Sequence, residues 1–443
     1  MGELSMTFQK TDKSIDLRDS WNPARRFFLF GLVFPLFITL SDATPVAREK
    51  VIAIRAGIIQ TVAQGEIENG VILIRNDRIA EIGAQVAIPP DAEVLDFQGK
   101  FVMPGIVSPD SNLGIYKKEK SESESFFRMI VEGAGKNEAF YPVLYSIDPE
   151  HPDYSLALKN GFTTLAVSPP RAGISGLGAV VRPEGDKLED VLVKDKAFLK
   201  ISVYVNTPFW NMLKGSLEEA RRLLDEQKKK AEEKAKPKER KSKDVAKDKA
   251  KEEAQKEEPT ISESAKVFMD VVDGKTPLLA ECKGPDAVPH LLELLSGYPK
   301  VNLIIKGGTE VYKAGPLLKE KNIPLILEPG IDVRSDFSQP IPERTNYVLK
   351  CQALDLKLAF QAPGNVEEQI HLLDYLNELA QYGLKKEVLL KGVTLVPAQL
   401  LGIDSLVGSL EKGKKADLIV LKDDPFDSVP IIEKVILGGK IVQ

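Results

Sequence analysis

The sequence predicts an α/β protein, a (β/α)8 barrel that carries a small composite β-sandwich. Two observations lead there. Short β-rich runs crowd the two ends of the 443-residue chain, and between them brief apolar runs alternate with amphipathic helical stretches. Strand, helix, strand in that rhythm is the pattern of a parallel sheet, and strand groups at both ends can bury a face by pairing with each other. An open doubly wound sheet is the alternative architecture.

The chain begins with an element apart from either domain. Phe27 to Leu40, "FFLFGLVFPLFITL", is an uncharged apolar run preceded by Arg25 and Arg26 and followed by Ser41 and Ala43, small residues at cleavage positions. This predicts an N-terminal export signal over residues 1–43, with a mature start near Thr44 in the periplasm or outside the cell. The paired arginines of "ARRFFLF" fit the twin-arginine route as well as general secretion. The run falls short of the roughly 20 residues that span a bilayer, and Pro35 interrupts it, so a retained anchor is the weaker reading. Export places Cys282 and Cys351 in an oxidising compartment, but their separation predicts no bridge.

From Val51, "VIAIRAGIIQTV", "GVILIRNDRIAEIG" and "AEVLDFQGKFVMPG" read as strands parted by turns at Asn76-Asp77 and Gln98-Gly99, and matching runs follow at Ala416–Asp424 and Ile431–Gln443. Together they define a sandwich made of residues 48–104 and 404–443, which leaves 105–403 for the barrel. Seven barrel strands are readable: Val102–Val107, Phe162–Ser168, Lys200–Asn206, Pro277–Cys282, Asn302–Ile305, Ile323–Leu327 and Lys357–Gln361. One weak strand completes the eight. "GISGLG", Gly173 to Gly178, reads as a structural turn, because no helix signal or lysine follows as in a phosphate loop. Residues 216–259 read as an exposed, charged helical insertion. Ser216 and Glu219 form a capping box, and past Leu224 almost nothing is apolar enough to build a buried face.

Charge and composition exclude several classes. A net charge of −5 with the signs interspersed gives no attraction to nucleic acid, and no membrane contact is expected once the signal is removed. Three histidines (His151, His290, His371) and two cysteines, none at ligand spacing, are a poor supply of zinc ligands.

Four motifs nevertheless resemble one family, in its order and near its spacing. "VMPGIVSPDSNLG" resembles the first barrel strand of the amidohydrolase superfamily, the imidazolonepropionase-like branch in particular, and "GSLEKGKKADLIVLKDDP" its C-terminal signature; "GFTTLAVSPP" with "GISGLGAVV", and "VTLVPAQLLGI", resemble further landmarks. The resemblance covers residues 50 to 443 apart from the charged insertion. It implies a barrel with a composite sandwich and one or two divalent metals at the barrel's C-terminal face. There, metal-bound hydroxide hydrolyses C–N bonds, often in cyclic amides.

Carried over residue by residue, that resemblance implies a site whose metal ligands have been replaced. The first histidine pair falls on Asp110 and Asn112, which as i and i+2 of one strand both face the barrel, and the aspartate before them is Ser108. Glu281 and Lys283 stand at the next histidine positions, Gly307 at another, and Ala362 or Pro363 where the catalytic aspartate belongs. Asp110, Asn112, Glu281 and Lys283 are therefore the candidate ligand-binding residues of a degenerate barrel mouth, with no catalytic residue and no metal ligand assigned. Buried carboxylates need a cation, and Lys283 is the expected centre of a network with Asp110, Glu281 and Asn112. A hard ion such as Mg²⁺ or Ca²⁺ on Asp110, Asn112 and Glu281 is the rival occupant.

The expected function is an exported amidohydrolase-like protein without the superfamily metal site, a non-catalytic binding or assembly component. The alternative is a hydrolase of non-peptide C–N bonds, of the cyclic amidohydrolase type, with a rebuilt site. On the first reading no cofactor is expected; on the second, zinc or another divalent metal. Expected partners are a small-molecule ligand and a second copy of the chain or an amidohydrolase paralogue.

Overall fold

The computed structural model describes residues 50–115, 136–204, 206–235, 261–282, 284, 286–307, 311–328, 341–361 and 369–443. The candidate Lys283, the positions Ala362 and Pro363, and the expected export signal lie outside them.

Five strands open the described chain: β1 (Val51–Gln60), β2 (Glu66–Glu68), β3 (Val71–Arg75), β4 (Arg78–Gly83) and β5 (Glu93–Pro104). Eight strands of the second group follow: β6 (Ile106–Ser111), β7 (Phe162–Val167), β8 (Ile174–Val181), β9 (Leu192–Val203), β10 (Leu278–Cys282), β11 (Leu303–Gly307), β12 (Leu325–Leu327) and β13 (Leu358–Phe360). The chain closes with β14 (Leu418–Leu421), β15 (Ile432–Leu437) and β16 (Lys440–Ile441).

The outer strand groups form one sheet in the order β16-β15-β14-β5-β1-β3-β4, with β2 on β1. The two ends of the chain meet where β14 runs antiparallel to β5, Leu418 opposite Pro104 and Leu421 opposite Phe101. Its interior is the isoleucine-rich set Ile52, Ile54, Ile72, Ile74 and Ile79 with Leu418 and Val420. The expected turn at Gln98-Gly99 is instead a bulge within β5. Gly99 takes φ +76°, and the register with β1 shifts between Ala56 and Ile58.

The middle strands form the nearly closed barrel sheet, in sequence order from β13 back to β6. β9 through β13 pair in parallel, as do β6 and β7. The eighth strand is β8, antiparallel to both β7 and β9. It contains the stretch that the sequence marked as a turn, so that reading is corrected. Turn geometry is confined to Gly173 at φ +74°, after which an apolar run long enough to pair continues through Val181. Gly176, at φ +122°, has no room for a side chain, because a Cβ there would lie 2.4 Å from the carbonyl oxygen of Tyr141.

Helices Pro152–Lys159, Thr207–Ala235, Glu263–Val272, Ala287–Leu295, Gly315–Glu320 and Ile341–Ala353 lie between successive barrel strands. Helix Thr207–Ala235 corrects the expected start of the insertion. Asn206 Oδ1 accepts the Phe209 N–H at 2.9 Å and caps it, whereas Ser216 sits in mid-helix and donates back to the Met212 carbonyl at 2.9 Å. Phe209, Leu213, Leu217 and Ala220, spaced by four, four and three, are fully buried. Residues 216–224 therefore belong to a packed barrel helix with one buried face, and from Asp225 to Glu233 every residue is exposed.

Candidate functional site

The barrel strands are built in two levels. Val107, Ala166, Phe198, Leu279, Ile304, Ile326 and Ala359 form an apolar interior cluster with Ala398 and Leu401. Side chains alternate along a strand, so the next inward position lies two residues further on. Those positions are Ser168, Lys200, Glu281, Lys306, Glu328 and Gln361. Every one is polar, and all lie toward the C-terminal ends of their strands, the face on which barrels carry their sites.

The first barrel strand departs from this spacing. Between Ser108 and Ser111 its register with β7 slips, three residues against two. Pro109 lies in this bulge; it has no N–H to give to a ladder and is tolerated at a bulge or on an edge strand, and β6 is the edge of the barrel sheet. Asp110 thereby enters the ring three residues after Val107. The expected simple alternation of Asp110 with Asn112 does not hold: Asp110 is buried in the ring, and Asn112 sits half-buried just past the strand end. At the same seam Ser108 donates to Gln361 Oε1 at 2.7 Å, both side chains buried. This bond joins β6 to the end of β13 where backbone pairing is absent from the strand order.

Asp110 is the hub. Its Oδ2 accepts from Lys200 Nζ at 2.7 Å and from Lys306 Nζ at 2.8 Å, and its Oδ1 accepts a short bond from Ser168 Oγ. Lys306 Nζ also lies 2.9 Å from Glu328 Oε1, and Lys200 Nζ 3.8 Å from Glu281 Oε2. Tyr347 holds the Glu328 backbone by donating to its carbonyl at 3.0 Å. Burial alone would raise the Asp110 pKa; the charges and hydrogen bonds of Lys200 and Lys306 outweigh it and hold the carboxyl far below its usual range. Burial alone would lower Lys306; Asp110, Glu328 and Glu281 outweigh it and keep the amine protonated well above its ordinary pKa.

Of the four candidates, the structure brings Asp110 and Glu281 together through Lys200, leaves Asn112 half-buried past the end of β6 and does not describe Lys283. The cations on Asp110 are Lys200 and Lys306. Sequence reasoning missed both, along with Ser168, Glu328 and Gln361. The signal was a polar residue two positions after an interior apolar one, repeated on strand after strand.

The remaining nucleophiles and ligands are occupied elsewhere. Burial and the neighbouring Glu281 push the Cys282 thiol up to about 12, which removes it as a nucleophile near neutral pH. His151 caps helix Pro152–Lys159, accepting the Asp153 N–H at 3.2 Å. His290 packs edge-on against Trp210, and His371 lies 3.0 Å from Asp374.

The residues present do not fit the divalent metal that the resemblance implies. Two ammonium groups occupy the same oxygen of the one fully buried carboxylate in the described barrel mouth, where a metal would need a lone pair. Gly307, at a family histidine position, leaves no room for one, since a Cβ there would lie 2.2 Å from Val311 Cγ2. Among the described residues no group of three histidine, cysteine, aspartate or glutamate side chains is placed to hold a metal ion.

Comparison with known proteins agrees on the fold. The Amidohydrolase family model matches residues 362–442. No curated protein sequence matches the chain. Among solved structures, an amidohydrolase from Thermotoga maritima MSB8 is 24% identical, covers 88% of this chain and 99% of its own, and superposes with a TM-score of 0.72. A prolidase complexed with N-methylphosphonate-L-proline is 15% identical, with a TM-score of 0.54 over 89% of this chain and 100% of its own. Phenylurea hydrolase B, also 15% identical, gives 0.52 over 89% and 97%. The chain therefore has an amidohydrolase fold, a barrel with a second sheet from both chain ends, and over residues 362–442 it matches the Amidohydrolase family in sequence.

Proposed function

We propose that this protein is an exported relative of the imidazolonepropionase-like amidohydrolases that has exchanged its metal for lysine ammonium groups and serves as a non-catalytic binding or assembly component. One observation carries the reading: Lys200 and Lys306 converge on the single carboxylate that the barrel keeps at the family's first ligand position. Metal-assisted hydrolysis needs an electron-pair acceptor with an open coordination position, and an ammonium group is neither a Lewis acid nor a generator of hydroxide at neutral pH. What the mouth retains is a ring of polar side chains. Glu281 and Glu328 are its more exposed acids, each with about a quarter of its side chain accessible, so a small ligand entering there meets hydrogen-bond acceptors first.

A second reading is supported by the fold shared with whole-length hydrolases and by the family match over residues 362–442. On it, the protein is a hydrolase of non-peptide C–N bonds with a rebuilt site. Elemental analysis of protein purified without chelator separates the two. The proposed function expects no stoichiometric transition metal. One equivalent of zinc, manganese or iron would overturn it in favour of the hydrolase.

A further inference from the structure

We propose that Lys200 and Lys306 are a built-in counter-charge that shuts divalent cations out of the barrel mouth, and that removing either ammonium group lets the two carboxylates it bridged, Asp110 with Glu328 at Lys306 or Asp110 with Glu281 at Lys200, take up one Mg²⁺, Mn²⁺ or Ca²⁺ ion in its place. The inference rests on the function proposed above and deepens it, because it states what the lysines do to the site's ligand chemistry.

Charge balance comes first. Three carboxylates, Asp110, Glu281 and Glu328, face two ammonium groups, which leaves one net negative charge in the network. Losing one lysine leaves two negative charges, and one dication then neutralises them. Buried carboxylates left without a counter-ion are expensive, so the variant has a strong drive to acquire one.

Geometry supplies the position. Lys306 Nζ lies 2.8 Å from Asp110 Oδ2 and 2.9 Å from Glu328 Oε1. Ca²⁺ takes oxygens at about 2.3–2.6 Å, so the two carboxylates need to close in by only a few tenths of an ångström. Ser168 bonds Oδ1, so once one lysine is removed Asp110 Oδ2 keeps a single ammonium partner and regains one acceptor position. Glu328 and Glu281 are partly exposed, which gives an ion a route in from the mouth. All the ligands are hard oxygens, which selects Mg²⁺, Mn²⁺ or Ca²⁺ over ions that prefer sulfur or imidazole.

The test uses the full chain after signal removal, with Ca²⁺ or Mn²⁺ alone as the probe. Wild type, Lys306→Met and Lys200→Met are compared by titration calorimetry and by thermal melting with and without a chelator. Lys200→Met is included because Lys306 is the more deeply engaged residue and its loss can compromise folding. The expected result is one bound equivalent in each folded variant, with a saturable rise in Tm of at least ~3 °C that the chelator reverses, and no response in wild type. Variants that bind no more tightly than wild type would overturn this inference and leave the proposed function standing. A wild type that itself takes up one tight equivalent would overturn both.

Discussion

Asp110 and Asp417 are both buried carboxylates, and their surroundings push them in opposite directions. Burial outweighs the help of Arg182 (2.7 Å) and the Gly438 N–H (2.8 Å) at Asp417 and raises its pKa, whereas two lysines reverse the effect of burial at Asp110. A carboxyl with a depressed folded pKa contributes stability that is present above its unfolded value, about 3.9, and is lost as pH falls toward the folded value. Asp417, shifted up, works in the other sense. Asp110→Asn should therefore cost ~3 kcal/mol at neutral pH, and the gap from wild type should narrow below about pH 4. Urea unfolding of the two proteins across pH measures it. Replacing Asp110 and Asn112 together by histidine should not produce zinc-dependent hydrolysis of a cyclic amide, because Val311 still blocks position 307 and the lysines remain. Asp110 and Glu281 were legible as ring residues because each falls at a strand end marked by the family pattern. Lys200 and Lys306 were not, since a lone lysine at a strand end looks like a solvated one until the closed barrel sets it across from a carboxylate.

Helix Thr207–Ala235 changes character along its length. Leu217 and Ala220 are fully buried, while the turns from Lys228 onward expose their described side chains. Leu217→Ala should cost ~2–4 kcal/mol, as buried leucines do. Replacing residues 228–256 by a short Gly/Ser linker should move Tm by no more than ~2 °C, read by differential scanning calorimetry. Strand periodicity carried the rest of the fold. Each barrel strand that the sequence marked overlaps an observed one, because apolar runs bounded by turn residues have few other uses, although β9 begins at Leu192, well before the expected Lys200. The part hidden from it was β8, whose glycines speak locally for a turn and whose antiparallel pairing depends on neighbours far along the chain. The bulge at Pro109 was equally hidden, although proline within a strand was its trace.

At the scale of the whole molecule, two claims join: that the protein is exported, and that its barrel stands without a metal. N-terminal sequencing of secreted material should give a start near Thr44; a full-length product held in the membrane would make Phe27–Leu40 an anchor. Metal independence follows from the ring. Each interior acid of the described mouth has an ammonium group within 4 Å, which on the proposed reading stands where a dication would otherwise be needed. The most direct measurement is anomalous diffraction from crystals of wild-type protein grown with Mn²⁺ or Zn²⁺. The expected map shows Lys200 Nζ and Lys306 Nζ within about 3 Å of Asp110 Oδ2 and no anomalous peak in the barrel mouth. A peak coordinated by Asp110 and Glu281, with the lysines turned away, would contradict it.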